Sequence, residues 1–189
     1  MDLHKLTAEV CALLGGKNES QSEHAMTRFV ILDGAVALVM RTGYGATANK
    51  VTISAFLPFE DVLSYHQRAK FESITVTGTR PAEAVAKEIK RRLLDGVEIK
   101  IAEALARVNA HNDTKSTVKA RAAKWAQDFP GLSVTVNDDG LSARLYFNKS
   151  GKYLSGDMQR DGSISIQRLS LDGENSATAL LTLLAGGSQ

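Results

Sequence analysis

The chain has 189 residues, 43% of them hydrophobic and 23% charged, which is the usage of a globular protein and excludes a disordered or fibrous one. Its single cysteine, Cys11, excludes an internal disulfide framework and a zinc site of several thiolates, and fits a reducing compartment. The net charge of +2 is small but unevenly placed: residues 1–79 hold 7 basic and 8 acidic side chains, residues 80–124 hold 11 and 6, and residues 125–189 hold 5 and 7.

Leu3, Leu6, Val10, Leu13 and Leu14 recur at helical spacing, and Gly15-Gly16 ends the stripe where a left-handed turn stops a helix. MDLHKLTAEV lacks the basic start and apolar run of a signal peptide, and no stretch approaches the ~20 apolar residues of a membrane span, so a cytoplasmic protein is expected. The polar KNESQSEH reads as a loop. TRFVIL and AVALVMRT then flank Asp33-Gly34, the signal of a two-residue hairpin turn. A Gly-rich connection, GYGATAN, leads to KVTISAFLP, which puts Val51, Ile53, Ala55 and Leu57 on one face, and ESITVTG reads as a further strand.

Pro81 opens a helix. Its apolar stripe, Ala82, Val85, Ile89, Leu93, Val97, Ile101, Leu105 and Val108, keeps phase through Gly96, which predicts one long helix, bent there. Asn112-Asp113 is expected to break it, with a second helix over 114–128. Period two then returns in LSVTV, ARLYF, KYLSGDMQ and SISIQRLSL, separated by the turn sequences NDDG, NKSG and RDG. ENSATALLTLLAG closes the chain as an amphipathic helix with Ala177, Leu180, Leu181 and Leu184 on one side.

The expected fold is α+β: antiparallel β-meander sheets packed with helices, in two similar ββββα halves joined by a long central helical segment. The order of elements around 28–94 recurs around 132–186, while sequence identity between the halves is slight, so duplication and coincidence both remain open. The corresponding regions are an α+β half over 1–95, a central basic helical segment over 96–130, and a β-meander plus helix over 131–189.

The candidate binding residues lie in KSTVKARAAKW, where Lys115, Lys119, Arg121 and Lys124 have no acidic residue among them. At about 100° per residue, Val118, Ala122, Trp125 and Phe129 share one helical face, while the four cations fall outside it. Trp125, the only tryptophan, therefore belongs to an apolar stripe, and the cations form a solvated face or a contact for phosphates or an acidic surface. Earlier on the chain Glu83, Glu88 and Glu103 each precede a cation by four residues and compensate it locally. His4, His24, His66 and His111 are scattered without metal-ligand spacing, TGYGATANK lacks the GK[ST] of a phosphate loop, and nothing marks Cys11 as a nucleophile. The sequence names no catalytic residue, no metal ligand and no cofactor, and a non-enzyme is expected.

SITVTGTRPAEAVAKEIKRRLL, residues 73–94, runs a strand into a Pro-started, alanine-rich basic helix. It resembles segments of small proteins encoded by bacteriophages and mobile elements, a setting that includes anti-CRISPR inhibitors. The resemblance implies a non-catalytic protein that occupies a surface of a larger bacterial complex, such as a CRISPR effector. Anti-CRISPR proteins share no common signature, so it assigns no functional residue. The competing expectations are direct binding of DNA or RNA through residues 115–124 and an enzyme whose site is assembled from distant residues. Exposed strand edges also allow a homodimer.

Overall fold

A computed structural model describes residues 2–20, 27–43 and 45–184. The fold is α+β, with two antiparallel sheets and four α-helices among the described residues. It divides into two compact units, Met1–Asn109 and Ala110–Gln189.

The first unit begins with α1 (Leu3–Leu14), whose N-terminus is capped by the Asp2 carboxylate accepting from the Lys5 N–H. A five-stranded meander follows, β1 (Lys17–Asn18), β2 (Thr27–Leu32), β3 (Val36–Thr42), β4 (Lys50–Phe56) and β5 (Ser73–Thr77), in sequential order. Alternation sends Val51, Ile53, Ile74 and Val76 to one face, all buried. The helix α2 (Ala82–Arg92) returns to that face and contributes Val85 and Ile89 to the same core as Leu6 and Val10 of α1. Both helices thus cover one sheet.

Several local expectations are corrected. Lys17 and Asn18 pair with Ile31 and Val30, so the start of KNESQSEH is a strand; residues 21–24 lie outside the described residues. The hairpin loop holds three residues, because Leu32 pairs with Val36, and Asp33 and Gly34 both take positive φ (49° and 72°). The helix from Pro81 is not continuous. Gly96 adopts φ 64°, outside the right-handed helical region, so α2 ends at Arg92 and α3 (Val97–Asp128) starts anew. Conversely, α3 runs unbroken through Asn112-Asp113. Asn and Asp each disfavour a helix interior by well under ~1 kcal/mol, far less than a glycine at positive φ or a proline would, and the Thr114 and Thr117 hydroxyls fold back onto the carbonyls of Ala110 and Asp113.

In the second unit, the end of α3 leads into a four-stranded meander, β6 (Leu132–Val136), β7 (Ala143–Lys149), β8 (Lys152–Met158) and β9 (Ile164–Ser170), followed by α4 (Gly173–Leu184). The first unit therefore carries five meander strands and then a helix, the second four strands and then a helix. The turn at Ser150-Gly151 uses positive φ at both positions (54° and 75°) to join Lys149 to Lys152. The core of this unit is small: Val118 and Ala122 of α3 pack on Ala143, Leu145 and Met158, with Trp125 and Leu154 partly buried beside them.

A bulge interrupts the β8–β9 ladder. Ser155 pairs with Arg168 and Gly156 with Ile166, leaving Gln167 without an opposite residue. Here the backbones approach so closely that a Cβ on Gly156 would stand 2.5 Å from the Ser165 carbonyl oxygen. Gly156→Ala is expected to lower stability by about 1–3 kcal/mol through that overpacking, read as a lower urea midpoint with the m-value unchanged.

Candidate functional site

An apolar groove of about 530 Å³ lies within the second unit. Its floor follows from sheet register. On one face of the meander, Leu132 stands opposite Phe147, Phe147 opposite Leu154, and Leu154 opposite Leu169. One wall is the last turn of α3, which supplies Trp125, with Phe129 just beyond it; the open side is β9, which supplies Ile164 and Ile166. Phe129, Ile164 and Ile166 are about half exposed, at 56%, 49% and 51%. Apolar area of this extent, concave and continuous with a core, marks a binding surface more often than chance exposure does.

The helical phase expected for Trp125 is the observed one: it lies partly buried with Val118 and Ala122, whereas Phe129 opens onto the groove. The phase of β9 could have revealed the groove in the sequence. Ile164 and Ile166 keep even spacing while Leu169 and Leu171 are odd, and the bulge at Gln167 is what returns the second pair to the groove side.

The four candidate cations are less free than their sequence implies. Lys124 forms an ion pair with Asp128 at 2.6 Å, four residues along its own helix. Arg121 donates from Nη1 to the Arg160 carbonyl at 3.3 Å. It also stands near Asp161, whose carboxyl is held below the usual range mainly by the Ser163 hydroxyl and N–H, with Arg121 adding to the effect. The stem of Lys115 lies against the turn at Gly140, where an added Cβ would come 3.0 Å from its Cγ. Lys119 is exposed and has no ion pair among the described residues. A chain of phosphate contacts would have to draw on Lys119 and Lys115 first.

In the first unit, His66, Arg68, Lys70, Lys100 and Arg107 line a polar cleft of about 440 Å³. Sequence spacing gave no sign of it. Two of its cations are engaged at the rim: Arg68 pairs with Asp61 at 2.7 Å, and Lys100 donates to the Lys70 carbonyl at 2.7 Å while lying 4.6 Å from the centre of the Phe71 ring. Beneath them Glu60, 1% exposed, accepts from the Ala69 N–H and from Arg107 at 3.1 Å. Of the compensating pairs expected on the helices, Glu88–Arg92 and Glu103–Arg107 form, at 3.5 and 3.9 Å.

Cys11 is buried, and burial pushes its thiol pKa up, which keeps it protonated and a poor nucleophile. Among the described residues no three of His, Cys, Asp or Glu come together as metal ligands, and no helix is long and apolar enough to cross a membrane. His24 lies outside the described residues. The chain matches no family model, no curated protein and no solved structure.

Glu60 ties the 58–69 segment to α3 through a buried charge. Glu60→Ala takes the acceptor from the buried-side Ala69 N–H and leaves Arg107 only Glu103 at 3.9 Å, and should cost about 1–3 kcal/mol in urea unfolding. Glu60→Gln, which keeps an acceptor, should cost clearly less.

Proposed function

We propose that this protein is a non-catalytic binding module that accepts an amphipathic helix in the groove of its second unit. The observation that carries the reading is the groove's lining: aliphatic and aromatic side chains on a sheet face and a helix end, concave, half exposed and continuous with the core. Such a surface recognises the apolar stripe of a helix, whose side chains at i, i+3, i+4 and i+7 fill it as anchors. It offers few polar groups with which to orient a small polar substrate.

The resemblance of residues 73–94 to proteins of bacteriophages and mobile elements supplies the setting. There the protein acts by stoichiometric occupancy, blocking a bacterial nucleic-acid-handling complex such as a CRISPR effector. Direct DNA or RNA binding through Lys115, Lys119, Arg121 and Lys124 is the rival reading, and it has a distinct signature because phosphate contacts release counterions.

The test is a tagged pull-down from a lysate containing CRISPR effector complexes, with and without nuclease. The expected result is retention of the effector in near-stoichiometric amount after nuclease, lost with Ile166→Asp at the exposed groove side and unaffected by charge reversal of the four cations. Loss of all partners after nuclease, together with steeply salt-dependent nucleic-acid affinity abolished by the charge reversal, would replace this reading with the rival one.

A further inference from the structure

The two units cover their sheets unequally, and the difference lies in the connection from the last strand to the following helix. In the first unit four residues, Gly78 to Pro81, separate β5 from α2, and α2 returns to bury Val85 and Ile89 in the core beneath it. In the second unit only Leu171 and Asp172 separate β9 from α4. That short connection is also tied down: Asp172 pairs with Lys152 at 3.6 Å, and its Cβ stands 3.5 Å from where a side chain on Gly151 would begin.

The outcome is a helix and a groove that belong together chemically and are not joined. On α4, Leu181 is 64% exposed and Leu180 only half-buried, and no described side chain of α4 belongs to the core of this unit. The groove lies on the sheet face beside α3, the position that α2 fills beside α1 in the first unit. A short connection that prevents an element from reaching its own site favours exchange of that element between copies.

We propose that this protein is a homodimer in which each copy lays α4 into the groove of the other. The inference rests on the reading of the groove as a helix-binding site and names its occupant in the free protein, which a target helix would displace. The area is sufficient. A 12-residue helix is about 18 Å long, and two such helices, each burying one face in a groove, remove on the order of 1,600 Å² from water, the size of a standard specific interface. The arrangement is isologous: Leu180 and Leu181 of one copy meet Ile166 and Phe129 of the other, and the reverse. The exchange closes at two copies.

Sedimentation equilibrium on the full chain tests it. The expected result is a dimer at micromolar concentration, with Leu181→Asp and Ile166→Asp each raising the dimer dissociation constant at least tenfold. Both side chains are largely exposed within one copy, so both variants should fold, as circular dichroism checks. Inserting Gly-Ser-Gly between Asp172 and Gly173 should give a monomer, because α4 can then return to its own sheet. A wild-type monomer at tens of micromolar overturns the proposal while leaving the groove free for another protein's helix. A dimer insensitive to both substitutions and to the insertion overturns it as well, by placing the interface elsewhere.

Discussion

A sheet with one apolar face must have that face covered, and the architecture of this chain is organised by how each of its two sheets meets the requirement. The first sheet takes two helices, α1 from before it and α2 from after it, and most of the buried aliphatic side chains of the protein lie between those layers. Among the described residues the second takes the end of α3, and its buried core there is Val118, Ala122, Ala143, Leu145 and Met158. At ~25 cal/mol per Å² of buried apolar surface, leaving Ile164, Ile166 and Phe129 half exposed forgoes stabilisation that Val51, Ile53, Ile74 and Val76 supply to the first unit. The incomplete coverage is what leaves this unit with a concave apolar groove.

The helix α3 links these two circumstances. Its first turns supply Ala104 and Arg107 to the first unit, the former to the core and the latter to the Glu60 carboxylate; its last turns supply Val118, Ala122 and Trp125 to the second. A low-propensity stretch in its middle is held helical by the turns on either side, since helix propagation is far more favourable than a new nucleation. The cations on its later turns are drawn into local partnerships with Asp128, the Arg160 carbonyl and the turn at Gly140. A run of positive residues in a sequence thus overstates the charge that is free to act.

The strands were the most legible part of the sequence, because alternation in KVTISAF and SITVT and the turn residues at 33–34 and 150–151 are short-range signals with a direct steric cause. Helix boundaries were read less well. The apolar stripe kept its phase through Gly96, yet backbone geometry at one glycine ended the helix there, while Asn112-Asp113, weak helix formers, did not. The Glu60–Arg107 pair was invisible since its partners are 47 positions apart and each is unremarkable alone. Of the site, the phase of Trp125 was readable; the groove was not, because helical periodicity says which face of a helix is apolar but not what lies against it.

The bulge at Gln167 bears on a different hazard. β9 is an outermost strand, and its unpaired backbone edge is a template on which another extended chain could grow. A regular strand reading Ser-Ile-Ser-Ile would present that template flat and in register. The extra residue breaks the repeat midway, increases the local twist, and places Gln167 where its amide donates to Asp157 at 2.6 Å. The same irregularity that returns Leu169 and Leu171 to the groove therefore makes the neighbouring edge a poor seed for fibrillar stacking, so an open apolar face is kept unattractive to strands.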